Sequence, residues 1–148
     1  MLTLTEINIY PLKSLGGISL DSTFAGERGL KYDRRYLLVD ENGEFLTQRN
    51  LPKLALLKLS FAENGFKVLN IVDDSFNTIP LESESIEKSK VKIWGDLCSA
   101  IIVDKKLDEW FSDILKIKCS LVYMPDDETR IVEKKYEPAD HIVSFADA

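Results

Sequence analysis

The sequence predicts a mostly β domain, barrel-like, built from mixed and antiparallel strands with one amphipathic helix near residues 105–115. Three observations carry that prediction. Short apolar runs recur along the chain, each closed by turn residues. Asn42-Gly43, Asn64-Gly65 and Gly95-Asp96 each lie between two such runs and read as hairpin connections. One stretch alone, Leu107 to Leu115, shows helical spacing. Strand–helix alternation is missing, which argues against a doubly wound parallel sheet.

The elements follow in order. Leu2–Tyr10 reads as a first strand, with a phase change near Thr5-Glu6 that fits a bulge. Ile18, Leu20 and Phe24 share a parity, so Gly17–Phe24 reads as a second. Arg35–Asp40 and Glu44–Thr47 flank Asn42-Gly43, a type I′ signal. Leu54–Phe61 and Phe66–Val72 flank Asn64-Gly65, and Lys90–Trp94 and Leu97–Val103 flank Gly95-Asp96. Asp104 stands as an N-cap before Leu107, Trp110, Phe111, Ile114 and Leu115, which follow i, i+3, i+4, i+7, i+8 spacing. Cys119–Met124 reads as a final strand, and Pro125–Asp140, polar and Pro-bounded, as a long loop. Ile142–Ala148 opens another apolar segment, so the chain is expected to be the front part of a longer protein.

Composition narrows the function. The 148 residues, 45% hydrophobic and 30% charged, fit one globular domain. Residues 1–60 carry a net charge of +1 and residues 61–148 a net of −7. An overall charge of −6 argues against a nucleic-acid binder, which needs a broad basic surface. No apolar run is long enough to span a bilayer, and no signal-like core is seen, so a cytoplasmic location is expected, with no membrane partner. Cys98 and Cys119 are too few for a disulfide framework, and His141 is the only histidine; no zinc site and no nucleophilic triad is expected. Trp94 and Trp110 read as core aromatics, and the acidic clusters Asp73-Asp74 and Asp126-Asp127-Glu128 as solvated surface.

One constellation remains. Tyr10-Pro11-Leu12-Lys13-Ser14 and Asp33-Arg34-Arg35-Tyr36 each sit at the edge of a strand-like run. If the two strand ends converge, Lys13 offers a point charge, Arg34 a planar fork and Ser14 a hydroxyl. That donor set suits a phosphate. Gly16-Gly17 would let backbone approach a ligand closely. The alternatives are ordinary: Lys13 solvating a strand end, Arg34 paired with Asp33 or Glu27. Arg49, at the end of Thr47-Gln48-Arg49, reads either as a further member of the anion site or as a solvated edge charge.

With these residues the chain resembles the N-terminal β-barrel domain of MOSC proteins, a group that includes the mitochondrial amidoxime-reducing component. The resemblance rests on Tyr10–Ser14, Gly29-Leu30 with Asp33–Tyr36, Thr47–Arg49, Lys92-Ile93-Trp94-Gly95 and Ser144-Phe145-Ala146-Asp147, in that order from Leu4 to Asp147. It implies one domain over residues 1–148, followed in full-length relatives by a MOSC domain that this chain does not contain. It implies a molybdenum cofactor (molybdopterin) held between the two, with Lys13, Ser14 and Arg34 on its phosphate and pterin. It implies an oxidoreductase acting on N-hydroxylated compounds, with the metal-ligating cysteine in the MOSC domain. By that reading this chain supplies cofactor-binding residues, no metal ligand and no catalytic residue. Ala148 stands where the family tends to have Gly. Pyridoxal phosphate is the alternative ligand. A structural role is the other alternative, covering a partner domain or recruiting an electron-transfer partner through the acidic second half.

Overall fold

A computed structural model of the chain describes residues 1–132, 135 and 139–146. Its strands are β1 (Ile7–Ile9), β2 (Ile18–Leu20), β3 (Ala25–Gly26), β4 (Gly29–Leu30) and β5 (Tyr36–Asp40). A short 3-10 helix (Pro52–Leu56) leads into β6 (Leu57–Ala62), β7 (Gly65–Asn70) and β8 (Phe76–Pro80). Then come β9 (Lys88–Ile93), β10 (Asp96–Ile102), the helix α1 (Lys105–Leu115), β11 (Cys119–Tyr123), β12 (Arg130–Ile131) and β13 (Ile142–Val143). Among the described residues the architecture is mostly β with one α-helix, as the sequence predicts.

The barrel-like expectation is met as a strand-rich fold that is not closed. Among the described residues the strands form separate sheets: β5-β11-β10-β9, β6-β7-β8 and three two-stranded pairs. The four-stranded sheet comes near to closing on itself. Phe45 bridges Val39 of β5, and Glu44 bridges Lys92 of β9. Lys92 N also donates to Gly43 O at 2.8 Å. The expected strand Glu44–Thr47 is thus reduced to isolated bridges, and the sheets are not closed into a barrel.

β5 is buried on both faces. Tyr36 and Leu38 face a large core with Leu54, Phe66, Ile79 and Leu121. Leu37 and Val39 face a second cluster with Val91, Ile93, Val122 and Phe145. A continuous apolar run is what a strand buried on both faces requires. The helix forms as its pattern predicts. Asp104, with extended backbone, accepts from Lys106 N at 2.7 Å, and Leu107, Phe111 and Leu115 enter the large core.

The hairpins exist but their turns are shifted. In the first, Gly43 N donates to Asp40 O and Asp40 N to Glu44 O, giving a three-residue loop with Gly43 alone at φ +76°. That is a turn ending in a left-handed residue rather than type I′. In the second, Ala62 pairs with Gly65 across Glu63-Asn64, and neither loop residue has positive φ. In the third, Ile93 pairs with Asp96, so Trp94-Gly95 is the connection; both residues are left-handed, at φ 52° and 102°.

Other boundaries move for want of partners. Only Ile7–Ile9 of the first expected strand pairs, with Ile18–Leu20, while Leu2 and Leu4 are exposed. After Leu20 the chain leaves for the two-residue pair β3–β4. β8 was not predicted; it pairs with β7 over Leu69↔Phe76 to Gly65↔Pro80. The expected loop 125–140 contains β12, which pairs with β13, and residues 133, 134 and 136–138 of it lie outside the described residues. Among the described residues no helix is long and apolar enough to cross a membrane.

Candidate functional site

Backbone zippering brings the two sequence patches together. Leaving β1, Pro11–Lys13 runs parallel to the start of β5: Tyr36 N donates to Pro11 O and Lys13 N to Tyr36 O, both at 3.0 Å. Arg34 N donates to Tyr10 O at 2.8 Å, and Tyr10 N to Asp33 Oδ1 at 2.7 Å. Leu12 and Leu15 anchor this segment in the large core, with Leu15 N donating to Leu12 O at 3.2 Å. Lys13 and Ser14 form the tip of that turn.

Lys13, Ser14, Arg34 and Arg49 all line one pocket of about 270 Å³. Lys13 is buried, with 6% of its surface accessible; Ser14 and Arg34 are half-buried and Arg49 exposed. Lys13 is thus a buried cation at a pocket wall, not a solvated strand end. Arg34 pairs with Asp33 and not with Glu27. Arg49 is brought in from the turn after Phe45, where Gln48 Nε2 donates to Ser14 O at 2.7 Å and fastens the two turns together.

Aromatic rings share the wall with each cation. Lys13 Nζ lies 5.9 Å from the Phe45 centroid, Arg34 Cζ 5.0 Å from Tyr10, and Arg49 Cζ 5.4 Å from Trp94. Each distance is within cation–π range. Phe45 meets Trp94 edge-on at 4.8 Å. Trp94 was expected in the core; it is half exposed (51%) and lines the pocket instead. It sits at the tip of the β9–β10 hairpin, where there is no core to bury it.

The backbone here is unusual. Among the described residues six non-glycines have positive φ, and Ser14 (71°), Arg34 (49°) and Trp94 (52°) all line this pocket. A left-handed non-glycine costs roughly 1–2 kcal/mol. Such outliers persist only where the surroundings over-determine them, and they cluster at ligand sites. The Gly16-Gly17 pair does not line the pocket. A Cβ on Gly17 would stand 2.8 Å from Tyr10 Cε1, so that glycine makes room for the Tyr10 ring rather than for a ligand.

Two larger clefts are poorer candidates. One of about 810 Å³ between α1 and the four-stranded sheet is lined by more carboxylates (Asp40, Glu41, Asp108, Glu109, Asp113) than lysines (Lys90, Lys105, Lys118), which does not suit an anion. Another of about 700 Å³ contains Arg28 and Arg35, which are spent on structure. Arg28 donates to the carbonyls of Asp126 (2.9 Å), Val143 (3.4 Å) and Glu128. Burial, with Arg35 nearby, pulls its guanidinium below the ordinary arginine range. Arg35 donates to Met124 O at 2.6 Å and pairs with Asp126. The free thiols Cys98 and Cys119 are buried and away from the cationic pocket, and among the described residues no three His, Cys, Asp or Glu gather as a metal site.

The missed site residues are Tyr10, Phe45, Trp94 and Gln48. Three of them lie inside motifs already noted, and for Trp94 the alternation along β9 holds a signal, since it shares the parity of exposed Lys90 and Lys92 and not that of buried Val91 and Ile93. The buried Arg130 was also missed. It pairs with Asp96 at 3.1 Å and donates to Ser144 O (3.1 Å) and Ala146 O (2.7 Å). Together with the bond from Phe145 N to Arg34 O (2.9 Å), it fastens the C-terminal segment beside the pocket.

Comparison with known proteins now identifies the fold. Residues 1–118 match the family described as the MOSC N-terminal beta barrel domain. The chain belongs to this family. Similar curated proteins are molybdenum cofactor sulfurases. That of Danio rerio is 32% identical over 81% of this chain and 15% of its own length. That of Oryza sativa subsp. japonica is 33% identical over 80% and 15%, and the human protein 27% over 89% and 15%. The chain therefore spans about 15% of the length of these three relatives. The solution structure of a Bordetella bronchiseptica protein aligns with a TM-score of 0.57 at 14% identity, covering 80% of this chain and 99% of that one. At that identity the likeness shows the shared fold alone.

Proposed function

We propose that this MOSC N-terminal domain grips the phosphate end of a molybdenum cofactor, as one wall of a cleft completed by a MOSC domain. The observation that carries the reading is the convergence of Lys13, Arg34 and Arg49 with the Ser14 hydroxyl in one pocket. Those donors fit a phosphate: charge-assisted hydrogen bonds to an anion are the strong ones, and the Arg fork adds geometry. The volume agrees with a partial site. At about 270 Å³ the pocket lies just below the range of complete ligand sites, ~300–1,000 Å³. It suits one end of a cofactor whose remainder is buried by a second domain.

Lys13 would neutralise charge from a buried position, Ser14 would donate a neutral hydrogen bond, and Arg34, oriented by Asp33, would fix the phosphate's orientation. Arg49 would add charge at the exposed rim. The cofactor, when bound, supplies the metal and its chemistry; the residues here bind and orient. The names of the sulfurase relatives support the cofactor rather than an N-hydroxylated substrate, so the proposal is confined to cofactor binding. Two free, buried thiols support a reducing, cytoplasmic setting.

The test places Lys13→Ala and Arg34→Ala in the protein joined to its MOSC domain and measures bound molybdenum and pterin. Both variants are expected to lose most of the cofactor; full loading in both overturns the proposal. Pyridoxal phosphate is the competing ligand, because Lys13 is the amine among the described residues lining the pocket. A visible absorbance band on adding it, lost in Lys13→Ala, would transfer the assignment to that cofactor.

A further inference from the structure

We propose that Trp94 is a stacking wall that selects a phosphate ester carried on a flat heteroaromatic ring, in preference to a bare phosphate or an aliphatic phosphate. The inference rests on the anion-site reading above and extends it from the charge to the ring.

The position is built at a cost. A two-residue hairpin connection favours Asn, Asp or Gly where φ is positive. Here the first of the two is a tryptophan at φ 52°, followed by Gly95 at 102°. A bulky residue in that region is a true outlier. Burial does not account for it, because Trp94 is half exposed.

The surroundings fix the indole beside the cations. Phe45 meets it edge-on, with centroids 4.8 Å apart and planes at 64°. Arg49 lies over it, 5.4 Å from the centroid. The hairpin below is locked to the loop after β5 by Lys92 N to Gly43 O (2.8 Å) and by the Lys92–Glu44 ion pair (3.0 Å). The ring is therefore held at the rim of the pocket that contains Lys13 and Arg34. An indole and a guanidinium together make the platform on which nucleic-acid bases and similar rings stack.

The experiment compares two probes, inorganic phosphate and a pterin carrying a phosphate monoester, on the cofactor-free protein joined to its MOSC domain, as wild type and as Trp94→Ala, Trp94→Phe and Lys13→Met. Circular dichroism checks that each variant is folded. Stacking losses of ~1–3 kcal/mol per ring correspond to about five- to 150-fold in affinity. Trp94→Ala is expected to lose that factor for the pterin phosphate and less than about threefold for phosphate, with Trp94→Phe largely restoring pterin binding. Equal pterin affinity in wild type and Trp94→Ala, with phosphate binding intact and Lys13-dependent, overturns the stacking role alone. Phosphate affinity that is undetectable, or unchanged in Lys13→Met, overturns the anion-site reading beneath it.

Discussion

Removing single cations from the pocket gives a ranked prediction. Lys13, Arg34 and Arg49 line the same space but differ in exposure: Lys13 has 6% of its surface accessible, the Arg34 side chain 32%, and Arg49 is exposed. A hydrogen bond to a charged group contributes about 1.5–3 kcal/mol when shielded from water. An exposed pair contributes about 0–1 kcal/mol and is screened by salt. At about 1.4 kcal/mol per decade, Lys13→Met should weaken inorganic phosphate binding roughly ten- to hundredfold. Arg34→Met should fall between, because Asp33 already occupies one of its nitrogens. Arg49→Met should cost less than about fivefold, and its effect should shrink further as salt rises toward 1 M. Met preserves the apolar stem while removing the Nζ that faces the Phe45 ring. Titration calorimetry of phosphate at low and high salt, with phosphorus NMR as a check, reads all three. A larger loss in Arg49→Met than in Lys13→Met, or a Lys13→Met loss under twofold, would refute the claim that burial ranks these cations.

Two further outcomes test the fold. Gly65→Ala would put a Cβ 2.0 Å from Ile79 O, a backbone atom in the β7–β8 ladder, so it should destabilise the chain severely, by more than about 3 kcal/mol in urea unfolding; a change under about 1 kcal/mol would show that β8 is not where the structure has it. Burial, aided by Glu128, pushes the Cys98 thiol up to about 11, so the fold favours its protonated form. That contribution is complete below the thiol's ordinary value and is lost as pH rises through about 11. The stability advantage of wild type over Cys98→Ala should therefore narrow between pH 9 and 11 in thermal melts, whereas parallel profiles would contradict a buried neutral thiol.

The candidate pocket was legible because Lys13 lies just past β1 and Arg34 just before β5, where the two backbones pair, and β5 reads clearly as an apolar run. The helix was legible because its cap and its stripe agree. Trp94 shares its parity with exposed Lys88, Lys90 and Lys92, opposite to buried Val91 and Ile93, so the alternation along β9 points it away from the core; only its apolar bulk suggests burial. In the hairpins, Asn-Gly and Gly-Asp mark a turn but not its register: Gly43 ends a three-residue loop at φ +76°, whereas Gly65 pairs with Ala62 and opens the next strand. β8 escaped because Asp73, Asp74 and Ser75 make a polar turn before it and Pro80 ends it, leaving too short an apolar run. Arg130 gave no signal at all: its burial depends on acceptors at Asp96, Ser144 and Ala146, distant in sequence.

The coincidence of strain with the pocket bears directly on function. Glycine at positions 14, 34 and 94 would relax the backbone, at an entropic cost of roughly 0.5–1 kcal/mol each. That is no more than the left-handed penalty it would remove, roughly 1–2 kcal/mol per residue. Glycine would also lose contacts, those of Arg34 with Asp33 and Tyr10 and those of Trp94 with Phe45 and Arg49, so these side chains matter both to the fold and to the pocket. Those three side chains are what glycine would delete: a hydroxyl, a fork of donors and a flat ring. Leu12, Leu15 and Tyr36, nearly or wholly buried just behind the pocket, hold the strained turns in place. Polar and aromatic groups held in costly conformations by apolar burial are what the proposed ligand site calls for.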